Sequence, residues 1–319
     1  CGSGGMFVQS MKFIENHHGD KKEVSIYGQE YTSTTYKLAK MNLAIRGIAA
    51  NLGAVPADTF AKDQHKDLKA DYIMANPPFN QKAWRADNEL VDDPRWKGYE
   101  VPQTGNANYA WILNMVSKLS DNGVAGFILA NGALSGGSEE YKIRKKLVEN
   151  GMVEAIIILP RNMFYTTDIS VTLWILNKNK KERTVKLNDQ VKNYRDRQDE
   201  ILFMDLRQVG EPFEKKYIQF SDTHLSEITS TYHNWQKVDN DYEDVPEYCY
   251  SAKKEEVVKK DYSLVPSKYI EFINRDENIN YGDKMTALKS EFSDLLQSEE
   301  KSKKDLLKVF KELGYEIEL

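Results

Sequence analysis

Between residues 24 and 177, short apolar runs rich in β-branched and aromatic residues alternate with segments whose apolar positions recur every three or four residues. The runs cover 24–27, 71–75, 124–129, 153–159 and 170–176. Helical spacing follows the first at Leu38, Met41, Ile45 and Ile48, with Ser33 or Thr34 as cap and Gly53 and Pro56 as breakers. It recurs at Ile112, Met115, Val116 and Leu119 within 108–119, with Asn122-Gly123 expected to end that helix, and at Ile143 and Leu147 after Gly136-Gly137-Ser138-Glu139. Strands separated by helices predict a parallel, doubly wound α/β sheet, because each parallel connection needs a crossover that covers a face. The last two runs are joined by 160–168, which has no helical pattern, so one strand is expected to run antiparallel.

The second run leads into Asp71-Tyr72-Ile73-Met74-Ala75-Asn76-Pro77-Pro78-Phe79-Asn80. Neither proline can donate to a β-ladder, so regular structure stops at the strand's end in a stiff turn. The turn offers an amide side chain, carbonyls of fixed direction and an aromatic ring. Such groups can hold a planar amine, the oxygens accepting its N–H bonds while the ring stacks on its face.

Other residues are open to two readings. Cys1-Gly2-Ser3-Gly4-Gly5 enters a helical pattern and fits either a ligand-cradling loop or a flexible linker. Glu30, after the first short strand, suits either the two hydroxyls of a nucleotide ribose or a solvated position before a helix. Asp58, expected at the end of the next brief strand, suits either an adenine amine or a turn.

A long polar stretch, 81–105, carries Trp84 and Trp96 and is expected to be a functional or disordered loop. The basic run 178–183 reads as a solvated turn, and 201–205 as a further strand. In the tail, Met285, Leu288, Phe292 and Leu295, then Leu306, Val309 and Leu313, step by three and four with Glu299 and Ser302 between them. That is a heptad seam with a polar interruption, suited to docking on another helix. The net charge of −5 argues against a protein that grips nucleic acid alone through a basic face. Cys1 and Cys249 form no disulfide framework, no apolar run reaches membrane-spanning length, and the histidines lack metal-site spacing, so a cytoplasmic, metal-free protein is expected.

Taken together, these stretches resemble the modification subunits of type I restriction-modification systems, which are DNA adenine N6-methyltransferases. The matching residues are 1–5, Gly28-Gln29-Glu30, 38–47, 71–80, Asn108-Tyr109-Ala110-Trp111, Gly137-Ser138-Glu139 with Ile143-Arg144, Leu159-Pro160 with Phe164-Tyr165, Tyr232-His233 with Trp235, and the helical tail. The resemblance implies a Rossmann-like sheet whose cofactor, S-adenosylmethionine, is held by Gly2, Ser3, Gly4, Gly5 and Glu30, with Asp58 against its adenine. Catalysis would fall to Asn76, Pro77, Pro78 and Phe79. Asn76 and the Pro77 carbonyl accept from the amine of a flipped adenine, and Phe79 stacks on the base. It also implies a catalytic domain over 1–180, an extension over 181–275 and a docking segment over 276–319. The family's upstream helical domain and first strand would lie before Cys1, leaving two unpaired sheet edges here. Expected partners are DNA, a specificity subunit bound through the C-terminal helix, a second modification subunit and a restriction subunit. Methylation of cytosine N4 or a glutamine amide, or an inactive scaffold, are the competing readings. A Rossmann dehydrogenase would need a glycine at Phe7.

Overall fold

Five of the apolar runs do become strands, and four of them share one sheet. The computed structural model describes residues 1–165, 168–187, 190–239, 241–273 and 281–315. They form two compact units, Cys1–Glu271 and Phe272–Leu319. The first unit carries α1 (Gly5–Asn16), β1 (Ile26–Tyr27), α2 (Ser33–Ile45), β2 (Ala50–Asn51), β3 (Ala70–Ala75), α3 (Asn108–Lys118), β4 (Leu119–Ala130), α4 (Ser138–Glu149), β5 (Val153–Ile158) and β6 (Val171–Asn177). It continues with β7 (Arg183–Leu187), β8 (Gln190–Tyr194), β9 (Glu200–Asp205), β10 (Glu211–Phe213), β11 (Tyr217–Gln219), α5 (Asp222–Gln236), β12 (Cys249–Lys253) and α6 (Lys254–Lys259).

The main sheet has the order β12-β9-β5-β6-β4-β3. Strands β3, β4, β5 and β9 run parallel, and β6 lies antiparallel between β4 and β5. The connection from β5 to β6 is short and its sequence lacks the helical apolar pattern of a crossover, which favours that reversal. β12 adds a second antiparallel strand at the far edge. β5 is buried along its whole length, as both faces are covered. Beside it, Trp174 of β6 stacks on Phe127 of β4 with ring centroids 6.0 Å apart. β1 and β2 form a separate two-stranded parallel sheet, and β3 pairs on one side only. Its Tyr72 and Met74 are 76% and 61% exposed.

Three local expectations are corrected. α2 buries Tyr36, Ala39 and Leu43, while Leu38, Met41 and Ile45 remain exposed. The helix also ends before Gly53, at Gly47 in the left-handed region (φ 65°), and Ile48 lies beyond it. Asp58 lies in a turn well past β2 rather than at a strand end. β4 begins at Leu119, directly after α3, so Asn122-Gly123 sits inside a strand rather than in a helix-terminating turn. A Cβ on Gly123 would lie 2.7 Å from the Ala70 carbonyl oxygen, which explains a glycine at this bulged crossing.

Beyond residue 180 the chain is tied back by a buried pair. Arg197 and Glu154 are both fully buried 3.3 Å apart, and Glu154 also accepts from Gln236 Nε2 (2.8 Å) and from Asn177. Glu200, opening β9, accepts from Arg195 (2.7 Å), Ser251 (3.1 Å) and Lys253. Among the described residues, the second unit contains one helix, α7 (Tyr281–Glu312). All its seam residues are exposed, and its end is capped by Gly314 at φ 81° with Tyr315 N–H donated to Phe310 O (2.9 Å). No helix among the described residues is long and apolar enough to cross a membrane.

Burial alone would raise the Glu200 carboxyl, but Arg195 and Lys253 outweigh it and hold the group down to about 2 from its ordinary 4.5. The folded value lies below the unfolded one, so the stabilisation is complete above pH 4.5 and is lost as the pH falls toward 2. Wild-type denaturant midpoints should fall more steeply over that interval than those of Glu200→Gln. Equal slopes would show that the cluster adds no pH-linked stability.

Candidate active site

The carboxyl ends of β3, β4, β5 and β9 share one edge of the sheet, where ligands of open α/β sheets bind. β3 delivers Asn76 to this edge as its first residue beyond the ladder. Asn76 is exposed and, among the described residues, no group hydrogen-bonds its amide. Pro77 is buried, Pro78 exposed, and Phe79 half-buried with one side against the main core. The predicted turn therefore exists as a rigid element: anchored at Pro77, packed at Phe79, and open at Asn76.

The loop after it is ordered from within. Trp84 donates to Gln103 O (2.8 Å) and Trp96 to Leu90 O (2.7 Å). Their rings pack on Phe60 at centroid distances of 4.5 and 6.4 Å, and Trp111 packs on the same ring at 4.3 Å. Arg95, buried beneath them, donates to Thr59 O (2.8 Å), Phe60 O (2.7 Å), Asn114 Oδ1 (3.2 Å) and Asp93 (2.7 Å). Burial of Asp93 opposes ionisation, but the bonds from Arg95 prevail and its carboxyl sits below the ordinary value. Arg95 thus ties the loop to the segment following Asp58 and to α3. Spacing of the aromatics did not reveal this, since they follow no helical or strand period.

The residues assigned to a cofactor also gather. Gly2 and Gly4 adopt φ of 60° and 80°, which glycine takes without strain, and the turn feeds α1. Side chains built at Gly2 or Gly5 would meet nothing within 4 Å, so the loop faces open space. No side chain caps α1, whose first-turn N–H groups lie at the positive end of the helix dipole. Glu30 accepts from Gly2 N–H (2.8 Å) and Thr32 N–H (3.0 Å). Partial burial opposes its ionisation, yet the bonds from the Thr32 and Gly2 amides hold the carboxyl below its ordinary value. Asp58 Oδ1 accepts from Phe60 and Ala61 N–H (both 2.8 Å), which is the turn role. Gln29, to which the sequence assigned no role, donates to the carbonyls of Ala57 (3.0 Å), Asp58 (3.0 Å) and Lys62 (2.9 Å). Ala57 N–H in turn donates to Glu30 O (2.9 Å), so Asp58 is stapled beside Glu30. The two halves touch where Ser10 Oγ of α1 meets Met74 Sδ of β3 at 3.7 Å.

At the next strand end, Asn131 Oδ1 accepts from Thr172 Oγ1 (2.7 Å) and Ser170 Oγ donates to Leu159 O (2.7 Å), locking the ends of β4, β5 and β6 together. Among the described residues no cluster of His, Cys, Asp and Glu has metal-binding geometry.

The strand order, with a reversed strand between β4 and β5 and a proline turn at the carboxyl end of β3, defines the Rossmann-like methyltransferase fold. The chain belongs to the N-6 DNA methylase family, whose model matches residues 1–278. It is 40% identical over 321 residues to the type I restriction enzyme HindI methylase subunit of Haemophilus influenzae, covering 99% of this chain and 68% of that protein. It is 33% identical to the MjaIX methylase subunit of Methanocaldococcus jannaschii, covering 99% of this chain and 55% of the relative. Among solved structures, the type I restriction-modification methyltransferase subunit from Streptococcus thermophilus superposes with a TM-score of 0.69 at 27% identity, over 85% of this chain and 52% of that one. The chain thus spans between half and about two thirds of these relatives.

Removing Arg95 strands Asp93 and two carbonyls in a poorly solvated place. Arg95→Ala should cost on the order of 3 kcal/mol and open 81–105 to limited proteolysis, while the protease pattern of the rest stays unchanged. A loop as resistant as wild type would mean that the tryptophans alone hold it.

Proposed function

We propose that this chain carries the catalytic part of a type I restriction-modification methylase subunit and transfers a methyl group from S-adenosylmethionine to N6 of adenine in DNA. The observation that carries the reading is the Asn76 amide, unengaged at the rim of the sheet beside a half-buried Phe79 and on a turn that cannot relax into a ladder. Family membership and relatives named as methylase subunits support the substrate class.

The residues present fit the cofactor: a glycine loop opening to free space, an uncapped helix start, an ionised Glu30 and Asp58 held next to it. Bound S-adenosylmethionine would supply an electrophilic methyl group. Gly2, Ser3, Gly4, Gly5 and Glu30 would hold it, and Asp58, whose second oxygen has no described partner, would accept from its adenine amine. Asn76 Oδ1 and the Pro77 carbonyl would accept both N–H bonds of the target amine. They draw its lone pair out of conjugation and hold it toward the methyl, while Phe79 stacks on the base. No side chain is required as a strong base, since the alkylated amine sheds its proton to water.

An acidic chain needs help with phosphates. We assign sequence readout to a specificity subunit docked through the exposed seam of α7, with a second methylase subunit and a restriction subunit completing a cytoplasmic assembly.

In the full-length gene product assembled with its specificity subunit, Asn76→Ala should lower adenine N6 methylation by about 10²- to 10³-fold while S-adenosylmethionine still binds. Methylcytosine as product, or full activity in the variant, would overturn the reading. Removing residues 281–315 should abolish assembly but leave cofactor affinity intact; an assembled complex would refute the docking role of α7.

A further inference from the structure

The catalytic turn is fixed at its far end by a group that takes no part in the proposed chemistry. Asn80, immediately after Phe79, adopts φ 52°, a left-handed conformation uncommon for residues with a side chain and tolerated best by asparagine and aspartate. A turn in that state is fixed when its surroundings bond to it. Here the bonding residue is Asn108, the first residue of α3 and 1% exposed.

Asn108 Oδ1 accepts the Asn80 backbone N–H at 3.0 Å, and Asn108 Nδ2 donates to Asn80 Oδ1 at 2.9 Å. The orientation of the Asn108 amide is dictated, because a backbone N–H can only donate and so requires the oxygen opposite it. Asn106 reinforces the pair, donating Nδ2 to Asn80 Oδ1 (3.3 Å) and accepting Asn108 N–H at Oδ1 (2.9 Å). Ala107 N–H donates to Gln81 O at 2.9 Å. The loop 81–107 is therefore pinched shut at its base against the catalytic turn. Phe79 is held between two fixed points: Pro77, buried at the strand end, and Asn80, clamped to a helix.

We propose that Asn108 is a positioning residue of the methyl-transfer site, its two-bond clamp on Asn80 setting where Phe79 and the Asn76-Pro77 acceptors stand relative to the target amine. The inference rests on the functional reading above. It sets apart Asn108, which touches neither reactant, from Asn76, which would touch the amine.

The test uses the full-length gene product assembled with its specificity subunit, comparing wild type, Asn108→Ala and Asn80→Gly. Glycine keeps the left-handed turn without strain but removes the oxygen that Asn108 and Asn106 hold. Asn80→Gly should therefore melt close to wild type, yet lose tenfold or more in kcat for adenine methylation with KM for S-adenosylmethionine within twofold. Asn108→Ala should lose at least as much, and hydrogen exchange at the Asn80 amide should become fast. Wild-type kcat in either variant overturns the clamp. So does a loss of kcat in Asn80→Gly matched by an equal loss of cofactor binding, since that marks a general structural defect. Should Asn108→Ala fail to fold, Asn80→Gly decides alone. A wild-type complex that protects the Asn80 amide but methylates no adenine would instead overturn the functional reading.

Discussion

Two consecutive residues without an N–H govern the business end of this molecule. At Pro77 and Pro78 the β3 ladder has no donor to offer, so the chain must leave the sheet at Asn76 whatever its neighbours do. An amide placed there is spared from secondary structure and is free for a ligand. The remainder of the site is arranged around that interruption: Phe79 leans on the main core, Asn80 is held by Asn108, and the loop returns along a cluster of tryptophans to α3. The constraint is local and covalent, yet its usefulness depends on long-range packing that stops the turn from swinging.

The parallel strands and the reversed β6 were legible because a fully buried strand needs an unbroken β-branched or aromatic run, and 153–159 and 170–176 supply one. The Asn-Pro-Pro-Phe turn was legible for the same kind of reason, proline being unambiguous. α2 was harder. It has two stripes at helical spacing, Tyr36, Ala39 and Leu43 or Leu38, Met41 and Ile45, and periodicity alone does not say which is covered. The smaller stripe is the buried one, because Gly4 lies against Leu43, a Cβ there coming 3.4 Å from its side chain. Asn122-Gly123 was misread since a close backbone crossing calls for glycine as strongly as a turn does.

Parts of the site were invisible in one dimension. Gln29 matters because three carbonyls separated from it by 28 to 33 positions converge on one amide nitrogen. The clamp spans 28 residues, and Arg95 reaches back 35 and 36 residues to two carbonyls. Such contacts carry no period and no motif. They depend on the fold having already formed, and they are what converts a short motif into a site of fixed shape.

The tryptophan-lined loop has an optical consequence. Of the five tryptophans in the chain, Trp84, Trp96 and Trp111 pack around Phe60 near the Asn-Pro-Pro-Phe turn, while Trp174 and Trp235 are sealed in the sheet cores. Indole emission from the second group stays constant as long as the sheet is intact. Any change in emission on adding a ligand therefore originates mostly in the loop that borders Asn76, so the protein carries its own spectroscopic label at the place where occupancy matters.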